Sequence, residues 1–311
     1  MAAPKQGSAG CVVVAAILVV AGAGAGAYFF MHRNDGADDI VSWAGGSTMC
    51  LADVDGDGKD DLVGTAGFPD MHLVGVEARS GKIVWRHKIE ATHTPQVFCG
   101  GGGILTTEPF DMVGVDGLDP KTGDKKWSIS LSDKMDKIAW GKGCAVIDTV
   151  DKKRTSIDLG TGKATDCKDA GQPRSIYAPD KAVRTDDLEV ALVSKGEGTP
   201  KLGVQASRQG KTVWEADLSA IAFDGAGIMA SQYGVVVGGI DRGSKELVLT
   251  LLDRSTGSTL KTKKEKVHDA SSVTMAGHDR AVFVQTFGQI HTYDPQSLEL
   301  LWWGGTFWKD H

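Results

Sequence analysis

From about residue 48 to residue 305 apolar residues fall into short groups separated by polar, glycine-rich stretches. Val235, Val236 and Val237 form one uninterrupted run, whereas Val282 and Val284 interleave with Ala281, Phe283 and Gln285. A period of two, or a brief continuous apolar run bounded by turn residues, marks strands packed on one or both faces. Glycine supplies 41 residues against 9 prolines, and it recurs between the runs, where a reversing chain often needs a positive φ. An all-β chain is predicted.

Self-comparison organises those strands. The segments Glu77 to Trp85, Asp119 to Trp127, Asp158 to Asp166, Ala206 to Trp214, Asp253 to Lys261 and Asp294 to Trp302 align with one another. An acid opens all but the fourth, Gly holds the fifth place in all but the last, and Trp closes all but the third and fifth. Their ends recur at intervals of about 39 to 48 residues, the length of a four-stranded propeller blade. The acid can accept backbone N–H bonds across a turn, the Gly can reverse the chain, and the Trp can lay a flat face on the neighbouring unit. Each unit also has a matching first half, namely Thr48 to Val54, Pro95 to Gly101, Lys137 to Gly143, Ser175 to Thr185, Ala222 to Ser231 and Ser271 to Asp279. The expected fold is a β-propeller of six four-stranded blades, with residues 38–46 left over as an extra strand or part of a seventh.

These segments resemble the tryptophan-docking motif, Ala-x-Asp-x-x-Thr-Gly-x-x-x-Trp, of the propellers of pyrroloquinoline-quinone (PQQ) dehydrogenases. Asp119, Thr122, Gly123 and Trp127 match it from the Asp onward. Asp166 and Lys261 stand where Trp is expected and Leu298 where Gly is, so those blades should be held less tightly. The resemblance implies a propeller over residues 43–311. It does not carry the chemistry: the family's calcium site uses a Glu and an Asn at the axis, and Asn34, the only Asn in the chain, lies outside the repeats. Neither PQQ binding nor enzymatic activity is expected.

The N-terminus sets the compartment. Residues 1–10 form a short arm, and residues 11–31 are uncharged and long enough to cross a bilayer as one helix. A cleaved signal peptide is the rival reading, with small residues near Ala21 to Ala27 as the cleavage site; Tyr28 to Met31 extend the apolar run and favour an uncleaved anchor. Residues 32–42 are polar and read as a linker. Either reading puts the propeller outside the cytoplasm, in a periplasm or on the cell surface. The net charge of −6 and the short basic runs Lys152 to Arg154 and Lys261 to Lys266 argue against a nucleic-acid partner. Cys50, Cys99, Cys144 and Cys167 could form two disulfides in three ways. Cys50 with Cys99, both in first strands of adjacent blades, is a reasonable pair and leaves Cys144 with Cys167.

One loop carries candidate chemistry. Asp53, Asp55, Asp57 and Asp61 occupy places 1, 3, 5 and 9 of an acidic turn, with Lys59 offering a carbonyl at place 7. Hard oxygen donors at that spacing suit Ca²⁺. The loop resembles the Asp-x-Asp-x-Asp-Gly-x-x-Asp hairpin of FG-GAP repeats in integrin-type propellers, which implies a structural calcium ion in the first blade. Gly100 to Gly103 reads as a tight turn, and the scattered histidines as ordinary polar positions. The expected function is a membrane-tethered scaffold that binds a protein partner in the cell envelope; calcium-dependent surface adhesion or glycan binding is the alternative.

Overall fold

The computed structural model describes residues 49–66, 72–89, 95–108, 112–175, 182–184, 188–196, 200–223, 225–267, 273–286 and 289–305. All belong to one compact unit, Ile40–His311. Residues 11–31, expected as an anchor, the expected linker and the leftover residues 38–46 lie outside the described residues. Among the described residues no helix is long and apolar enough to cross a membrane.

The described chain is all-β, folded into six sheets of four antiparallel strands. The first sheet holds β1 (Met49–Ala52), β2 (Asp61–Ala66), β3 (His72–Val76) and β4 (Ile83–Lys88), and the second β5 (Gln96–Gly100), β6 (Gly103–Thr107), β7 (Gly114–Leu118) and β8 (Lys125–Ser130). The third holds β9 (Met135–Gly141), β10 (Cys144–Thr149), β11 (Arg154–Asp158) and β12 (Arg174–Ser175). The fourth holds β13 (Ala182–Arg184), β14 (Glu189–Lys195), β15 (Lys201–Arg208) and β16 (Lys211–Ala222). The fifth runs through β17 (Gly227–Ser231), β18 (Gly234–Ile240), β19 (Leu247–Leu252) and β20 (Thr259–Glu265), and the sixth through β21 (Thr274–Gly277), β22 (Val282–Thr286), β23 (Gln289–Tyr293) and β24 (Leu300–Gly305). Five sheets are simple meanders in chain order, as short hairpin links dictate. The arrangement is consistent with a β-propeller.

The third sheet departs from the repeat. Its order is β11-β10-β9-β12, so the last strand pairs with the first-formed one instead of the third. The segment expected to open the fourth unit, Ser175 to Thr185, is divided: Arg174–Ser175 pairs with β9, and Ala182–Arg184 pairs with β14. The fourth strand expected beside β11 is reduced to a single bridge, Ile157 with Ala164. Three residues on from Ala164 the chain is already committed elsewhere, because Cys167 is bonded to Cys144. Cys50 is bonded to Cys99, linking β1 to β5.

The repeated turn works as its residues suggest, with one addition. In the fifth sheet Asp253 Oδ1 accepts from the backbone N–H groups of Ser255 (2.9 Å) and Thr256 (2.8 Å). The Gly at the fifth place has φ of 73° at Gly81, 73° at Gly123, 68° at Gly162 and 71° at Gly257. A Cβ there would also strike the Trp of the preceding sheet, at 2.5 Å from Trp85 for Gly123 and 2.4 Å from Trp214 for Gly257. The same indoles donate to the turn: Trp85 Nε1 to Pro120 O (2.7 Å), Trp127 Nε1 to Leu159 O (2.9 Å) and Trp214 Nε1 to Arg254 O (2.9 Å). Trp302 Nε1 donates to Ala78 O at 2.8 Å, which joins the sixth sheet to the first. Between β5 and β6 the run of glycines is a tight turn, with φ of 58° at Gly101 and 84° at Gly102, the pair of positive values a two-residue hairpin favours.

Candidate cation-binding loop in the first sheet

The loop between β1 and β2 is shaped by its own carboxylates. Asp53 accepts from Gly56 N (2.8 Å) and Gly58 N (3.1 Å), Asp55 from Asp57 N (2.9 Å), and Asp57 from Lys59 N (2.9 Å). Gly56 and Gly58 take φ of 83° and 80°, which lets the chain curl around the acids. Asp61, the first residue of β2, is fully buried; it accepts from Ala78 N (3.0 Å) and Val54 N (3.4 Å). Burial raises its pKa above the ordinary carboxylate range and the charge of Asp55 adds to the rise, against the opposing bond from Ala78.

Asp53, Asp55 and Asp61 each place one oxygen within 4.8 Å of the others. Asp57 is drawn aside: its Oδ2 lies 3.0 Å from Nη1 of Arg280, which also stands 3.7 Å from Asp61 Oδ1. The other arm of that guanidinium reaches Glu77 Oε1 at 2.8 Å. Burial alone would raise the Glu77 carboxyl, but bonds from Ser80 and Arg79 and the Arg280 charge hold it below its ordinary value. Lys59 is exposed and its amide serves Asp57. His278 Nε2 contacts Asp60 O at 2.8 Å, and Lys121 of the second sheet lies over Gly56, where a Cβ would meet its Nζ at 2.9 Å. The loop therefore sits where the sixth, first and second sheets meet. Beside it opens a cavity of about 550 Å³ lined by Asp53, Asp60, Asp119, Lys121 and the glycines 100–103.

The profile of the FG-GAP repeat family matches residues 45–84. That match covers the acidic loop and most of the first sheet. Among curated proteins none matches the chain. Solved structures that are similar include BamB from Moraxella catarrhalis, 15% identical over 78% of this chain and 73% of that one, with a TM-score of 0.28. Hsv2 from Kluyvelomyces marxianus is 9% identical over 79% of this chain and 95% of its own, at a TM-score of 0.48. BBS1N, solved in complex with ARL6DN, is 14% identical over 88% and 84%, at 0.39. The architecture rests on the strand pairing, and these likenesses add nothing to it.

Arg280, His278 and Lys121 had no signal in the sequence pattern of the loop. Arg280 lies 223 residues from Asp57, and only the adjacency of the first and sixth sheets brings them together.

Proposed function

We propose that the chain is a non-catalytic binding propeller, its six sheets forming six blades of a closed ring, and that the acidic loop holds a structural Ca²⁺. The observation that carries the reading is the convergence of Asp53, Asp55 and Asp61 at the meeting of three sheets. A hard divalent cation suits three carboxylates with a fixed backbone, and there it would stiffen a platform whose loops meet a protein partner. Lys59 would contribute a carbonyl, and Asp57 would join by leaving Arg280. The two disulfides support an oxidising compartment outside the cytoplasm; with residues 11–31 as tether, the platform stands in the cell envelope. The resemblance to PQQ-dehydrogenase propellers extends to the blade turn and not to catalysis.

The test is thermal unfolding of the full chain with Ca²⁺ or chelator. Binding to the folded state alone stabilises by RT ln(1 + [Ca²⁺]/Kd), about 2.7 kcal/mol at a hundredfold excess over Kd. Asp53→Asn with Asp55→Asn should remove the response. A melting temperature indifferent to both ion and chelator would reduce the loop to an acidic turn. Cross-linking in intact envelopes then identifies the protein partner, and recovery of none defeats the scaffold reading. The cavity beside the loop favours a second reading, calcium-dependent adhesion or glycan binding; it requires ligand binding that chelator abolishes.

A further inference from the structure

The buried side chains divide by pairs of sheets. Val63 and Trp85 of the first sheet share a core with Ile104 and Leu118 of the second. In the same way the second packs with the third around Leu105, Val115 and Ile147, the fourth with the fifth around Val204 and Val237, and the fifth with the sixth around Leu249 and Val284. The sixth packs with the first around Phe283 and Val74. Among the described residues the third and fourth sheets share no such core. The face of the third sheet that turns away from the second, with Ala139, Cys144 and Val146, is covered by Cys167 and Ala170 of its own chain. The corresponding face of the fourth sheet is mixed, not a continuous apolar surface: half-buried Ala191 and Val193 lie on it beside Glu215, which takes Lys195 Nζ at 2.7 Å and Gln205 Nε2 at 2.9 Å. Asp166 occupies the place of a docking Trp and is exposed.

Chain ends are the usual weak point of a circular array, yet here the sixth and first sheets are joined by a core, by Trp302, by Arg280 and by Arg79 with Asp294 (3.6 Å). We infer that the array opens instead between the third and fourth sheets, and that the Cys144–Cys167 disulfide is the catch on that seam. The bond holds residues 164–171 over the third sheet. Among the described residues the same segment is also tied by Lys142 N to Asp169 Oδ2 (2.8 Å), Thr165 N to Ser156 O (3.0 Å), Gly171 N to Trp140 O (3.4 Å) and the bridge of Ala164 with Ile157. A dithiol reductant would cut the catch by exchange. Its thiolate attacks one cysteine sulfur and expels the other as a thiolate. Its second thiol then attacks the reductant's own sulfur in the mixed disulfide and releases the first cysteine, so that two electrons and two protons pass to Cys144 and Cys167 as the reductant closes to its own disulfide. The cover is then free to lift, exposing Ala139 and Val146. Asp169 Oδ1 lies 3.6 Å from Cys144 Sγ, a contact and not a hydrogen bond, since a disulfide sulfur carries no proton. Its charge opposes an incoming or departing thiolate and so guards the bond.

The test is hydrogen exchange on the full chain, oxidised and after stepwise reduction with dithiothreitol. In the oxidised protein amides of β9, β12 and β13 should exchange ahead of those in β1 and β21. Reduction of Cys144–Cys167 should speed exchange in β9, β12 and β13 by at least about tenfold while β21–β24 stay protected. Cys50→Ser with Cys99→Ser should leave the third and fourth sheets unchanged. Asp169→Asn should speed release of the Cys144 and Cys167 thiols. Equal exchange in β9, β12 and β13 before and after reduction, or earlier opening between the sixth and first sheets, overturns the inference. Should Cys144→Ser with Cys167→Ser fail to fold, stepwise reduction of the unmutated protein gives the same readout.

Discussion

Two junctions in this molecule have lost the docking Trp, and they have met the loss differently. Between the fifth and sixth sheets Lys261 replaces Trp, and the facing turn replaces Gly with Leu298. Leu298 is fully buried in the shared core despite a φ of 54°. The outer strand β20 adds a polar contact a little further along: Glu265 Oε2 accepts from the Tyr293 hydroxyl at 3.1 Å, and Lys263 sits 5.1 Å over the same ring. Between the third and fourth sheets Asp166 replaces Trp, but the outer strand itself is gone beyond one bridge. A missing side chain can be offset by neighbours when the strand that would have carried it remains. Loss of the strand removes the neighbours as well.

The comparison breaks first if the intact junctions are not held by their indoles. Trp214 is buried, bonds to Arg254 O and fills the space over Gly257. Trp214→Ala should cost about 3 to 5 kcal/mol, whereas Lys261→Ala, at the equivalent exposed place, should change stability by less than about 0.5 kcal/mol. Urea unfolding of both variants decides it. Equal effects would mean that the two junctions do not differ in the way their contacts indicate.

A second substitution tests whether Leu298 takes the place of the absent Trp. Leu298→Gly restores the motif residue and relieves a left-handed backbone worth about 1 to 2 kcal/mol, but it empties a buried site, where losing a Leu side chain costs about 2 to 5 kcal/mol. Net destabilisation is expected, smaller than for Trp214→Ala. A neutral or stabilising result would show that backbone strain outweighs packing and that the residue fills nothing.

These contrasts also show what the sequence could disclose. The acid, Gly and Trp of the turns are local and repeat, so six units of four strands were legible in the sequence. The acidic loop was legible for the same reason, as its spacing lies within nine residues. Both disulfides follow the pairing judged reasonable, Cys50 with Cys99 and Cys144 with Cys167. What failed was the third unit. Asp158 to Asp166 carries the turn residues, and Thr161, Gly162 and Lys163 do form that turn; the chain departs only after Ala164. Turn chemistry reports the reversal, not the length of the strand that follows it. The displacement of Asp57 towards Arg280 was hidden for another reason, since it depends on adjacency of the two ends of the array.

The smallest expected effect lies in the polar contact that partners Leu298. Glu265 is partly buried, which would raise its carboxyl, yet its pKa is held below the ordinary 4.5 by His291, Tyr293 and Lys263. His291 Nδ1 stands 3.4 Å from Glu265 Oε1, close enough for an ion pair although not aligned as a hydrogen bond. Burial first, and the Glu265 charge second, push the Tyr293 phenol up, so it stays a donor. A carboxyl with a depressed folded-state pKa contributes stability above its unfolded value and loses it as pH falls through the folded one. The stability difference between the unmutated chain and Glu265→Gln should therefore be fully developed above about pH 5 and close on further acidification. Taking the difference cancels the other carboxylates, which titrate alike in both proteins. A gap that stays constant from about pH 5 down to about pH 3 would mean that Glu265 is not held charged by its neighbours, and the repair of this junction would then rest on Leu298 alone.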